Sequence, residues 1–278
     1  MDFQALLSDG ATLAPEVLLT PNGPKRDLAI QFSGSRITKV GALQDFPQAV
    51  SLPGRAIVPG FVDAHTHVGQ IFGKALIGGE PAQIWRRIWH PMERDMDENQ
   101  SYLSAKWAFW EALRGGFTKV VNYGLNSLEK NAGVHRAAFE TGIRLVSATG
   151  LDEFSGEIGT GQGKKTWSEI KEVILAHIED CAGQDLTVPS VCCSSFMGNT
   201  TETLTKLSAL CATKGILLQI HCNEHFPEVH DSIVRYGLRP TELLHKSDVL
   251  GPHVLLHHTT LVYEAEIELI IQTDTATS

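Results

Sequence analysis

The sequence predicts a parallel α/β fold, and three observations carry that expectation. Short apolar runs alternate six times with stretches of helical periodicity, and a seventh repeat begins at the end. The runs are apolar throughout, as strands covered by helices on their faces require. At 278 residues and 42% apolar content, the chain can bury one large domain, alone or with a small satellite. An open doubly wound sheet and a closed (β/α)8 barrel both satisfy this pattern.

Residues 1–55 read as a separate β portion. DLAIQFSGSRITKVG gives two short strands around a Ser-Gly turn, and no long helix is expected before residue 80. AIVPGFVDAH (56–65) is an extended apolar run that opens the larger domain, residues 56–278. Residues 82–92 and 97–115 read as helices. Trp85, Ile88 and Trp89, then Leu103, Trp107, Trp110 and Leu113, form apolar stripes expected to face the core. Gly115-Gly116 stops the second of these helices. Strands follow at 117–124, 143–150, 186–193, 216–221 and 253–258. Helices follow at 127–141, 166–181, 201–214, 226–236, 240–246 and 264–272, and TDTATS starts one more strand. SGEIGTGQGKK (155–165) is a Gly-rich loop. It contains no GxxxxGK[ST] phosphate loop, and no GxGxxG turn follows the first strand, so nucleotide-phosphate cradles are not expected.

Charge excludes further classes. With 23 basic and 32 acidic residues the net charge is −9, and no Lys/Arg cluster stands out, so neither nucleic acid nor a membrane is an expected partner. No apolar run approaches the ~20 residues of a membrane span. The N-terminus carries acids where a signal peptide is basic. Five cysteines without framework spacing fit a reducing compartment, and the expected location is cytoplasmic.

Histidines concentrate where a parallel fold gathers its ligands, at the carboxyl ends of strands. The first strand of the larger domain ends in Asp63-Ala64-His65-Thr66-His67, the fifth in His221, and the sixth in His257-His258. Side chains two apart share a strand face, so His65 and His67 point the same way. Paired neutral imidazoles suit a divalent ion such as zinc, and His221 supplies a third nitrogen. Glu224, just past the fifth strand, is placed to move a proton between water and a leaving group. His258 is the candidate to orient the water. His257 is expected on the opposite face, as packing. Asp63 sits where it can support the histidines, Gln70 could reach substrate, and alternation turns Cys222 away. Cys192-Cys193 read as core, and His90, His135, His177, His225, His230, His245 and His253 as surface or packing.

Together these motifs resemble the amidohydrolase superfamily, in its chlorohydrolase and cytosine-deaminase-like branch, and most of all the methylthioadenosine/S-adenosylhomocysteine deaminases. VPGFVDAHTHVGQ is similar to the family's PG-hydrophobic-x-(D/N)-x-H-x-H signature. IWRRIWHPMERDMDENQSYLSAKWAFWEALRGGFTKVVNYG is similar to its W-x-x-x-I-x-P-x-E stretch and following helix. LLQIHCNEHF through LLHHTTL is similar to its H-x-x-E and strand-six histidine blocks, in order.

The resemblance implies a (β/α)8 TIM-type barrel, here truncated at about strand seven, with a small N-terminal β-sandwich portion. It implies one divalent metal ion, zinc or sometimes iron, on His65, His67 and His221. Glu224 is then the proton shuttle and His258 the water-orienting residue. Strand LTVPSVCC offers no lysine for carbamylation, in keeping with a single metal. The implied reaction is aminohydrolysis of a heterocyclic base or nucleoside-like small molecule, with metal-bound hydroxide as nucleophile. The family's strand-eight aspartate has no counterpart, and SSFMGNTTETL lacks the H-x-P-Y type element that helps relatives hold substrate. The alternative expectation is an inactive truncated barrel, acting as a binding module or a homo-oligomer joined at open strand edges.

Overall fold

The computed structural model describes residues 10–76, 84–125, 127–150, 152–154 and 163–278. Most of the Gly-rich loop expected at 155–165, and the start of the helix expected at 82, lie outside them. The chain divides into two compact units, Met1–Gly60 and Phe61–Ser278.

The first unit is a five-stranded sheet of β1 (Thr12–Thr20), β2 (Gly23–Lys25), β3 (Leu28–Ser33), β4 (Arg36–Ala42) and β5 (Val50–Ile57). Its order is β2-β1-β3-β4, with β5 parallel to β1. β3 and β4 are the two strands around the Ser-Gly turn, and Ala14, Ala29 and Phe46 form a small core.

The second unit carries seven strands: β6 (Phe61–Thr66), β7 (Phe117–Leu125), β8 (Arg144–Gly150), β9 (Thr187–Cys193), β10 (Leu217–Cys222), β11 (Val254–His258) and β12 (Ala276–Thr277). They lie side by side in chain order, each parallel to the next. Strands in sequential order with intervening helices curl into a half-barrel, the truncated TIM-type architecture. The helices are α1 (His90–Asp95), α2 (Glu98–Arg114), α3 (Leu128–Thr141), α4 (Trp167–Cys181), α5 (Thr201–Lys214), α6 (Phe226–Tyr236), α7 (Pro240–Lys246) and α8 (Glu264–Gln272).

Local chemistry sets these boundaries. Asp97 Oδ1 accepts the Gln100 N–H at 2.7 Å while Gln100 Oε1 accepts the Asp97 N–H at 2.9 Å, a reciprocal cap that starts α2. Thr166 and Glu169 start α4 the same way. Alternation along the strands then divides the core. Val191, Leu218, Ile220 and Leu256 pack outward with Ile170, Ile174, Leu204, Leu207 and Leu244, while Val120 and Leu145 pack with Phe109 and Val134. Each such side chain contributes roughly 1.5–3 kcal/mol by leaving water. The opposite strand faces line the curled interior, where Val121, Val146 and Leu255 form one layer and Tyr123, Ala148 and Cys192 another. Gly124 has φ +42, and a Cβ there would lie 1.9 Å from the Ala148 carbonyl oxygen, so β7 and β8 can close only around a glycine.

Three expectations are corrected. The run 56–65 is not one strand: its first residues end β5 at Ile57, and β6 begins at Phe61, after Val58-Pro59-Gly60. The helix expected at 82–92 is a wide, π-type turn at Trp85–Trp89 running into α1. In α2 the stripe is rotated. Leu103, Trp107 and Trp110 are about half exposed, and Ala105 and Phe109 face the core. Small residues give α2 its buried face because α3 approaches closely: a Cβ on Gly133 would lie 2.3 Å from the Glu98 carbonyl oxygen. Among the described residues no helix is long and apolar enough to cross a membrane.

Candidate active site

The histidines at the strand ends meet. His65 lies near the end of β6 and His67 directly follows it, His221 lies near the end of β10, and His258 ends β11. His221 Nε2 is 3.3 Å from His65 Nε2 and 3.3 Å from His67 Nε2. The ring of His258 lies 5.0 Å from those of His65 and His221, and ligand atoms of His65, His221 and His258 fall within 4.8 Å of one another.

These separations fit a metal ion. Tetrahedral zinc with Zn–N of 2.0–2.1 Å sets neighbouring nitrogens about 3.3–3.4 Å apart. Hydrogen bonding alone accounts for the cluster less well. A neutral imidazole nitrogen either donates once or accepts in one in-plane direction, so His221 Nε2 can satisfy only one of its two contacts. A cation shared with His221 Nε2 would satisfy both contacts; His67 joins the group through His221, while the trio whose ligand atoms all lie within mutual reach is His65, His221 and His258. The rings are also held in the neutral form that ligation needs. Burial lowers the His65 pKa to about 4 and that of His67 to about 3, with like-charge neighbours adding to the effect. Burial likewise drives His221 well below its ordinary value.

Supporting groups surround the cluster. Asp63 Oδ1 accepts the His65 N–H at 3.2 Å. Glu93 Oε1 lies 4.0 Å from His67 Nδ1, and burial pushes its carboxyl pKa up to about 7. Gln70 Nε2 donates to Glu93 Oε1 at 3.0 Å, so its amide faces this carboxylate beside the histidines. The ring of Tyr123 lies 4.0 Å from that of His221 and 5.0 Å from that of His67. Glu93 and Tyr123 are additions that sequence reasoning did not single out. Glu93 sits inside the quoted W-x-x-x-I-x-P-x-E stretch, which was a signal for it; nothing in the sequence marks Tyr123.

Glu224 follows β10 and precedes α6. Its Oε1 lies 3.6 Å from His258 Nε2 and 2.9 Å from His225 Nε2, the latter without the alignment of a hydrogen bond. It does not cap the helix. Glu228, in the first turn of α6, instead holds the approach to the helix: its carboxylate accepts the N–H groups of Asn223 at 3.1 Å and Glu224 at 2.8 Å. Asn223 has φ +55 and is held further by Thr241, Glu266 and the Leu261 carbonyl. Arg239 Nε, 2.6 Å from Glu266 Oε2, anchors the same network.

His257 overturns an expectation. It does not face away from His221; register pairs the two across β10 and β11, and pairing puts them on one face. His258 has φ +72, which breaks the alternation and turns this second imidazole to the site as well. Cys222 is turned outward into the helix-packed core, and Cys192 and Cys193 are buried. His135, His177 and Cys181 form a separate buried group with atoms within ligand reach of one another. Its two Nε2 atoms are bonded to Ser147, His135 Nε2 to Oγ at 2.7 Å and His177 Nε2 to the carbonyl at 2.9 Å.

Imidazoles converging at the carboxyl ends of parallel barrel strands mark the face on which such barrels carry their active sites. The chain belongs to the Amidohydrolase family, whose profile matches residues 56–277. It is 27% identical over 257 residues to a 5'-deoxyadenosine deaminase of Methanobrevibacter smithii, covering 91% of this chain and 54% of the relative. It is 28% identical over 258 residues to a 5-methylthioadenosine/S-adenosylhomocysteine deaminase of Syntrophobacter fumaroxidans, covering 89% of this chain and 52% of the relative. The chain thus spans about half the length of these relatives. A zinc-bound adenosine deaminase from Xanthomonas campestris shares the fold with a TM-score of 0.83 at 18% identity, over 97% of this chain and 62% of that one. A zinc complex of atrazine chlorohydrolase from Arthrobacter aurescens follows at 0.77 and 16% identity, over 96% of this chain and 64% of that one.

Proposed function

We propose that the chain carries the site of a metal-dependent hydrolase of non-peptide C–N bonds, an aminohydrolase of a purine nucleoside-like or related heterocyclic substrate. The observation that carries this reading is the pair of 3.3 Å contacts that His221 Nε2 makes with His65 and His67. These three residues would hold one divalent ion, zinc by preference. Such an ion, when bound, supplies the Lewis acidity that activates water at neutral pH. A single ion is in keeping with β9, TVPSVCC, which has no lysine to carbamylate.

The remaining chemistry falls to the chain's own groups. Glu224 receives one proton from the attacking water at a carboxylate oxygen and passes it to the ring nitrogen, which keeps it. Glu224 then takes the second proton from the oxygen now on the ring carbon and passes it to the departing amine. A C–O bond forms, the exocyclic C–N bond breaks, and ammonia leaves. His258, 3.6 Å from Glu224 Oε1, orients the water against that carboxylate. Glu228 fixes the backbone on which Glu224 rides. The deaminase names of the two relatives support the substrate class. Five buried free cysteines support a reducing, cytoplasmic location.

The test is ammonia release from 5'-deoxyadenosine, 5'-methylthioadenosine, adenosine and a triazine by the zinc-supplemented chain and its Glu224→Gln variant. A fall in turnover of about 10²–10⁴ is expected for loss of general acid–base catalysis. A fall below about tenfold removes Glu224 from the role. A zinc-loaded chain that releases no ammonia from any of these overturns the activity and favours a binding module.

A further inference from the structure

Beneath the imidazole cluster lies a layer of polar side chains. Asn122, Ser190, Gln219 and His257 come from β7, β9, β10 and β11, and none is more than 1% exposed. Burying four polar groups inside a curled sheet is costly unless they are bonded, so their partners say what the layer does. Asn122 Oδ1 accepts the N–H of Val68, the residue after His67, at 3.1 Å. Gln219 Nε2 donates to Ser190 Oγ at 2.8 Å and points to the Asn122 carbonyl oxygen at 3.4 Å. A carbonyl only accepts, so the amide nitrogen is fixed at that end and Gln219 Oε1 faces His257. That oxygen also only accepts, so His257 Nε2, 3.0 Å away, carries the hydrogen. Nδ1 is then a bare lone pair, and the Ser278 hydroxyl donates to it at 2.7 Å. The neutral ring is thus held in one tautomer and pinned at both nitrogens.

Its free surface is the ring face, and that face lies on His65, with centroids 3.8 Å apart and planes 27° from parallel. His65 lacks the usual means of orientation. A metal-ligating histidine is ordinarily fixed by a hydrogen bond from its second nitrogen. His65 Nδ1 is buried and has no hydrogen-bond partner among the described residues. His67 differs, since its Nδ1 has the Glu93 carboxylate 4.0 Å away.

We infer that His257 is a positioning residue, which orients the His65 ring for the metal by stacking beneath it, held in turn by Gln219 and Ser278. The inference rests on the metal site proposed above. It assigns the interior polar layer a purpose: the layer transmits the rigidity of β10 and β11 to a ligand on β6.

The experiment measures zinc affinity of the chain by chelator competition, and the visible bands of its cobalt(II) form, which report ligand geometry. The variants are His257→Ala, His257→Phe and Gln219→Leu. Loss of the stacked ring in His257→Ala should weaken zinc binding by about 10–100-fold and change the cobalt bands, as removal of an orienting partner does. His257→Phe keeps an aromatic face and should recover most of that loss. Gln219→Leu frees one nitrogen of His257 and should weaken binding by about tenfold, the lower end of the range. A purely structural role would lower the melting temperature of the metal-free variants while leaving zinc affinity and cobalt bands unchanged, and that result overturns the inference. Should His257→Ala fail to fold, Gln219→Leu decides by the same two readouts. A wild-type chain that binds no zinc overturns the metal site itself, and this inference with it.

Discussion

Replacing Glu228 by Gln probes how the loop carrying Glu224 is held. The carboxylate accepts two backbone N–H groups, from Asn223 and Glu224, across a turn in which Asn223 is at φ +55. Burial is the largest influence on its ionisation and pushes the pKa up to about 7, against the pull of the N–H groups of Glu224, Asn223 and His225. In the unfolded chain the same group titrates near 4.5. The folded state therefore keeps a proton that the unfolded chain has already released. Stability from this group is complete below about pH 4.5 and is lost as pH rises through about 7. At 1.36 kcal/mol per pH unit that window amounts to about 3 kcal/mol. Glutamine has no such proton, so this slope should vanish in Glu228→Gln. The amide also offers one acceptor oxygen where the two oxygens each take an N–H, and one unmet buried N–H costs about 1–3 kcal/mol. Urea unfolding of the metal-free protein from pH 4.5 to 8 measures both effects. The wild type should lose about 3 kcal/mol more than the variant over that range. Parallel pH profiles for the two proteins would refute the reasoning.

Other substitutions test the packing. Gly124→Ala should cost about 3–5 kcal/mol, from positive-φ strain and overpacking against the Ala148 carbonyl, read as a drop in the urea midpoint. Phe109→Ala should cost about 3–5 kcal/mol by emptying the fully buried contact of α2 with α3, whereas Trp107→Ala, on the exposed side of α2, should change stability by less than about 1 kcal/mol. Arg239→Met strands the buried carboxylate of Glu266 and should destabilise by about 3–5 kcal/mol, with earlier loss of amide protection at Asn223 in hydrogen exchange.

Much of the barrel was legible because its signals are local. Helical periodicity places α3 to α8 within a residue or so, and apolar runs place β7 to β11 nearly as well. The candidate ligands were legible for a similar reason: His65 and His67 obey strand alternation, and His221 and Glu224 lie in a short motif. What escaped depends on conformation or on distant pairing. His257 was assigned to the wrong face because alternation was carried through His258, whose φ of +72 no sequence rule announces. Pro59-Gly60 marked a break, yet the apolar residues on both sides hid the division between β5 and β6. The exposed face of α2 was mistaken for its core face because tryptophans outweigh alanine in a hydrophobic pattern, while the close approach of Gly133 demanded small residues. Tyr123 and Glu228 acquire their positions from neighbours far along the chain or across a turn.

The account depends most on three imidazoles sharing one cation, and His221 is common to both short contacts. Zinc titration of the metal-free chain by calorimetry, beside its His221→Ala variant, tests this directly. One equivalent bound by the wild type and none by the variant is the predicted result. No binding by the wild type, or equal binding by both, would contradict it.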